Sequence, residues 1–132
     1  MNCNYCGNPA ECVTLRQLYG SKFPLNKWAW RCRPCCASVG CHGLTKTPLG
    51  TLAKEPLRRA RNAAHAVFDP LWKQGYYSRA NAYQLLADDM DMPAGDCHIA
   101  NFNEDQCARV VIFATRHRQA IFQNHLRNAF QR

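Results

Sequence analysis

Two short stretches decide the fold: Cys3-Asn4-Tyr5-Cys6 and Cys32-Arg33-Pro34-Cys35, with 25 residues between them. Each is a C-x-x-C knuckle, whose two thiolates grip one face of a tetrahedral ion. A second knuckle closes the site at a Zn–S distance of about 2.3 Å. Four cysteines leave no open coordination position, so the reading is one structural zinc ion on Cys3, Cys6, Cys32 and Cys35. Redox chemistry of the thioredoxin kind needs one C-x-x-C in a βαβ setting, and no such setting occurs here. Cys36 is a register rival for Cys35.

Working outward, Gly7 follows the first knuckle, where a turn around a metal needs positive φ. Val13 and Leu15 alternate with Thr14 and Arg16, and Trp28, Trp30 and Cys32 alternate with Lys27, Ala29 and Arg31. Both patterns predict strands, with Gly20, Ser21 and Pro24 marking the loop between them. Knuckle, strand, loop, strand, knuckle is a zinc-ribbon layout. Residues 37–54 hold Gly40, Gly43, Pro48 and Gly50 without a clear period and read as a structured loop.

Helical spacing begins near Glu55, with Pro56 at N1. Leu57, Arg61, Ala64, Phe68 and Trp72 recur on one stripe, and Pro70 should end or kink that helix. Ser78 reads as the N-cap of a helix running to about Met90. Pro93 and Gly95 break it, and Asn103 with Gln106 resembles a capping box. One helix over 104–130 follows, with a break near 116–119 as the alternative because Arg118 interrupts the apolar stripe. The expected class is α+β, mainly α: an N-terminal zinc ribbon on a small three-helix domain with a long C-terminal helix. The expected division is 1–50, ribbon plus Gly/Pro-rich loop, and 51–132, helical.

The net charge of +8 is unevenly placed. Residues 1–61 carry ten Lys/Arg against two acids, whereas residues 62–132 carry seven of each. A basic ribbon points to an anionic partner, nucleic acid before others. The contacts expected to serve it are Arg31, Arg33, Lys46, Arg58, Arg59 and Arg61. Tyr5, Tyr19, Phe23, Trp28 and Trp30 interleave with this charge; such aromatics can stack on bases, but more often form a ribbon's own core.

Nine cysteines in 132 residues fit either disulfides or metal ligation. The opening residues show no basic stretch followed by an apolar segment, so the expectation is a reduced, cytoplasmic setting. No apolar run is long enough to span a membrane. Cys12, Cys36, Cys41, Cys97 and Cys107 have no assigned role. Cys41-His42 and Cys97-His98 are suggestive of a second metal site. Adjacent residues on a strand point to opposite faces, however, and a buried cysteine is the simpler reading. His65 and Asp69, four apart on a helix, form a weak acid–base candidate, with His42 as a further one. The stripe from Ile121 to Phe130 would suit self-association through residues 119–131, or a host protein, if nothing in the chain covers it.

Several stretches together resemble a known family: the two knuckles with Gly7, Val39–His42, Pro48–Ala53, Leu57–Arg61, Ala64–Trp72 and Ser78–Tyr83. They are similar to the zinc-finger-containing domains found mainly in bacteriophages and prophages, over about residues 3–113. The resemblance implies a phage or prophage setting and gives weight to those stretches beyond local turns. It implies no activity. The expectation is therefore a zinc-binding, nucleic-acid-binding accessory or regulatory protein. An inhibitor or adaptor aimed at a host machine is the alternative, and a nuclease-type hydrolase ranks last.

Overall fold

The computed structural model describes residues 1–130. The elements run β1 (Glu11–Thr14), α1 (Leu15–Tyr19), β2 (Trp28–Cys32), β3 (Ala37–Gly40), α2 (Glu55–Phe68), α3 (Pro70–Lys73), α4 (Arg79–Asp89) and α5 (Glu104–Phe130). Two single 3₁₀ turns, Ala94–Asp96 and Ile99–Asn101, lie between α4 and α5. Helix accounts for 52% of the described residues, so the α+β, mainly α, class holds. The chain divides into Met1–Arg59 and Ala60–Arg132, a boundary inside α2 and later than residue 50. It falls there because the segment after the Gly/Pro loop is tied to the sheet: Ser38 and Ala53 exchange backbone hydrogen bonds at 3.0 Å each way.

The first unit is a three-stranded antiparallel sheet of order β1-β2-β3. Its register sets Glu11 opposite Arg31 and Arg31 opposite Ser38, so these three share one face. The adjacent rows, Cys12–Trp30–Val39 and Cys32–Ala37, face the other way. On that side Cys3, Cys32, Ala37, Val39 and Leu52 form a small buried core, with Trp30 packed against it. Trp28 and Trp30 share a face as expected, each half-buried.

Two local expectations change. The β1 strand stops at Thr14, and Leu15 opens a helix. Thr14 and Gln17 form a capping box, which satisfies two backbone donors that continued pairing would not. Residues 37–40, read as loop, form β3. Leaving the second knuckle, the chain turns back beside β2, and backbone pairing overrides the weak strand preference of Ala-Ser-Val-Gly.

The second unit is helical. In α2 the buried positions from Arg61 are Arg61, Ala64 and Phe68, the spacing of one helix face. The helix ends at Phe68 and α3 restarts at Pro70, where the missing N–H costs nothing. The Phe68 ring lies 4.8 Å from that of Tyr83 and 6.3 Å from that of Phe113. In the same unit Leu71, Leu86, Ile99, Phe102 and Val110 are fully buried. Ser78 caps α4 through the Asn81 N–H. Asn103 and Gln106 close the expected box on α5, at 2.9 and 2.8 Å.

Helix α5 is unbroken from Glu104 to Phe130, so the interruption considered near 116–119 does not occur. From Arg118 onward every described residue except Ile121 is exposed. Phe122, Leu126 and Phe130, four apart, form an uncovered apolar stripe. Residue 131 of the expected self-association segment lies outside the described residues. Among the described residues no helix is long and apolar enough to cross a membrane.

Candidate metal centre and basic pocket

The two knuckles converge. The four Sγ atoms of Cys3, Cys6, Cys32 and Cys35 lie within 4.8 Å of one another, and Cys6 and Cys32 are 3.6 Å apart. A tetrahedron of bonds about 2.3 Å long has edges of about 3.8 Å, so this spacing suits a single zinc ion. Gly7 sits at φ +78° and donates its N–H to the Cys3 carbonyl at 2.8 Å, closing the first knuckle. Cys36 takes the matching place after the second knuckle, at φ +53°. It is exposed and turned to the Arg33 carbonyl, so Cys35 and not Cys36 completes the set.

The thiols also show why a cation belongs here. Burial raises Cys3, but the backbone N–H groups of Cys6 and Tyr5 and the neighbouring thiols outweigh it, lowering its pKa to about 7. The Cys6 thiol, then burial, then Cys32 and Cys3 push Cys35 up to about 12. Four sulfurs this close cannot all be anions alone, but around a dication they can. The four cysteines form a zinc site, closed and structural. Among the described residues it is the one cluster of three or more potential metal ligands.

Along the row of Arg31 and Ser38 lies a cavity of about 400 Å³. Arg31, Arg33 and Arg58 line it together with Tyr19, Ser38 and Cys36. Glu11 fixes two of these cations: its Oε1 accepts from Arg31 Nε and from Arg33 Nε, each at 2.7 Å. Those bonds, Arg33 first, hold the Glu11 carboxyl below its ordinary value. Exposed pairs of this kind contribute little stability; their effect here is to orient two guanidiniums. Arg58 Nη1 donates to the Ser38 hydroxyl at 2.6 Å and to the Ala53 carbonyl at 3.4 Å. Ser38 is 98% buried, and its oxygen is 3.2 Å from the Tyr19 hydroxyl. Three side chains from three elements thus meet on one hydroxyl.

The remaining expected contacts fall elsewhere. Lys46 Nζ sits over the Trp28 ring at 4.4 Å. The Lys46 carbonyl accepts from Trp30 Nε1 at 2.8 Å. Lys54, not expected, covers Tyr5 at 4.8 Å. Arg59 is exposed and pairs with Glu55 one helical turn back. Arg61 is a correction: it is buried within the second unit, and its Nε donates to the Phe102 carbonyl at 3.0 Å. A guanidinium committed to that carbonyl is not a surface contact for nucleic acid.

His65 Nδ1 lies 3.2 Å from both Asp69 oxygens, the expected contact one turn apart. Lys73 approaches the same carboxylate at 4.0 Å. His42 belongs to the first unit and is exposed, its backbone holding the loop through Thr45 and Thr47. Cys97 and Cys107 are fully buried in the second unit, and burial pushes Cys97 up to about 11. Cys41, in the first unit, is half-buried and likewise raised by burial. These four behave as packing and loop residues.

Sequence reasoning missed Ser38 and the clamp of Glu11. Ser38 had no signal of its own, because its position depends on β3. Glu11, one of two acids among the first 61 residues, could have been found by asking what it neutralises.

A small three-stranded sheet whose paired knuckles carry four converging thiols defines a zinc ribbon. The family model for a zinc-finger-containing domain matches residues 1–117, and the chain belongs to that family. No curated protein and no solved structure matches the chain.

Proposed function

We propose that this protein binds nucleic acid through the basic face of its zinc ribbon, as an accessory or regulatory factor in a phage or prophage setting. The observation that carries the reading is the convergence of Arg31, Arg33 and Arg58 on one cavity, with two of them held by Glu11. Guanidinium forks reach two phosphate oxygens each, and fixed forks lose less entropy on binding. Lys46 and Lys54, each seated on an aromatic ring, extend the charge. In this reading the zinc holds the platform and takes no part in chemistry.

Electrophoretic shift and fluorescence anisotropy with single-stranded DNA, duplex DNA and RNA test it. Binding should weaken steeply with salt, and Arg31→Glu or Arg33→Glu should weaken it for all sequences alike. No binding to any of the three at low salt overturns the reading.

A second reading, an adaptor aimed at a host protein, is favoured by the exposed stripe Phe122-Leu126-Phe130. Arg116, Arg118 and Arg127 flank it, and no acid follows Asp105 in the sequence. The partner that this charge suits is an acidic protein surface. A host protein captured by the full chain, and not by one ending at Arg116, should present an acidic face and release at high salt. A partner without an acidic face, or a dimer of this chain by light scattering, overturns it.

A further inference from the structure

We infer that the cavity walled by Arg31, Arg33, Arg58, Tyr19 and Ser38 is a receptor for a terminal phosphomonoester, the phosphorylated end of a nucleic-acid strand. This deepens the nucleic-acid reading and rests on it.

Three features carry it. The first is charge. Three guanidiniums and the one carboxylate that bridges two of them leave a local net charge of +2. A phosphomonoester carries about −1.5 to −2 at neutral pH, whereas a diester within a strand carries one charge. The cavity balances the end of a strand better than its middle.

The second is donor supply. Glu11 occupies only the Nε of Arg31 and of Arg33, so their terminal nitrogens remain for a ligand. Arg58 spends Nη1 on Ser38 and Ala53 and keeps Nη2 and Nε. Three forks can serve the three free oxygens of a monoester, while a diester offers two.

The third is construction. Ser38 is 98% buried, yet its hydroxyl is the joint where Arg58 and Tyr19 meet. A buried hydroxyl bonded on two sides holds both partners in place, which an incidental surface cluster does not do. The volume, about 400 Å³, exceeds what one phosphate needs. It falls within the range of about 300–1,000 Å³ typical of small-ligand sites. There is room for the phosphate and part of its nucleoside, and the Tyr19 ring stands at the wall.

The test compares one single-stranded ten-nucleotide DNA in three forms, bearing a 5′-phosphate, a 3′-phosphate or hydroxyls at both ends. Anisotropy is read with zinc-loaded full chain. At least one phosphorylated form should bind about tenfold or more tightly than the hydroxyl form, and the two phosphorylated forms identify the end preferred. Arg58→Gln and Tyr19→Phe should each reduce that ratio, the phosphorylated form losing more affinity than the hydroxyl form. Tyr19→Phe removes only a hydroxyl, and one zinc per chain in each variant confirms that the ribbon is intact. Equal affinity for all three forms overturns the inference and leaves nucleic-acid binding standing. Failure of all three to bind overturns both. A phosphoserine peptide that binds more tightly than any oligonucleotide retains the phosphate but overturns the nucleic-acid source.

Discussion

Removing the metal should melt one half of this chain and spare the other. The ribbon's metal-side core is five residues, Cys3, Cys32, Ala37, Val39 and Leu52, and two of these are ligands. Structural zinc contributes about 10–16 kcal/mol to folding at neutral pH. An entire small domain is stable by only about 5–15 kcal/mol. A first unit of 59 residues with so little apolar core cannot absorb that loss. The second unit builds its own core on Phe68, Leu71, Leu86, Ile99 and Phe102, and all four ligands belong to the first. Of the 61 α-helical residues among those described, ten lie in the first unit: the five of α1 and the first five of α2. Chelation of the metal, or Cys32→Ser, should therefore reduce the far-ultraviolet helical signal by about one sixth and leave a cooperative thermal transition. Trp28 and Trp30 should become solvated, and their emission should shift to the red, while Trp72 in the second unit keeps its environment. Unchanged tryptophan emission after complete metal removal would refute the reasoning. So would loss of the whole helical signal.

Further outcomes follow from particular residues. In the zinc-loaded protein an alkylating reagent at pH 8 should modify Cys36 first, since it is exposed and not a ligand, and leave Cys97 and Cys107 untouched; mass spectrometry of peptides reads the order. Burial raises both of the latter, Cys97 to about 11, and both side chains are closed to the reagent unless the unit opens. Phe68→Ala should lower the stability of the second unit by about 3–5 kcal/mol in a denaturant titration, with one zinc per chain retained. A chain ending at His117 removes a helix segment that is almost wholly exposed. Its stability should change by no more than about 0.5 kcal/mol, or about 2–4 °C in thermal midpoint.

The metal site was legible because its chemistry is local: two residues in each knuckle and a glycine after the first state their roles within five positions. Helix caps were legible for the same reason, as Ser78 and the Asn103–Gln106 box show. Strand β3 was not, because four small residues become a strand only when β2 lies alongside. Arg61 was misjudged by the same gap in information. A count of charge along the sequence cannot see that a carbonyl 41 residues away takes its Nε–H. The pocket depended on register. Glu11, Arg31 and Ser38 are scattered over 28 positions, and only the antiparallel pairing lays them in one row.

That row shares its backbone with the metal site. Arg31 and Arg33 flank the ligand Cys32, and Ser38 lies three residues beyond the ligand Cys35. Zinc and a pocket ligand would then be effectors of one another, since whatever tightens the second knuckle positions the cavity wall. Coupling of this kind is reciprocal. A phosphate seated against Arg31 and Arg58 would slow exchange of the metal, and a cell short of zinc would lose occupancy of the pocket before it lost the protein.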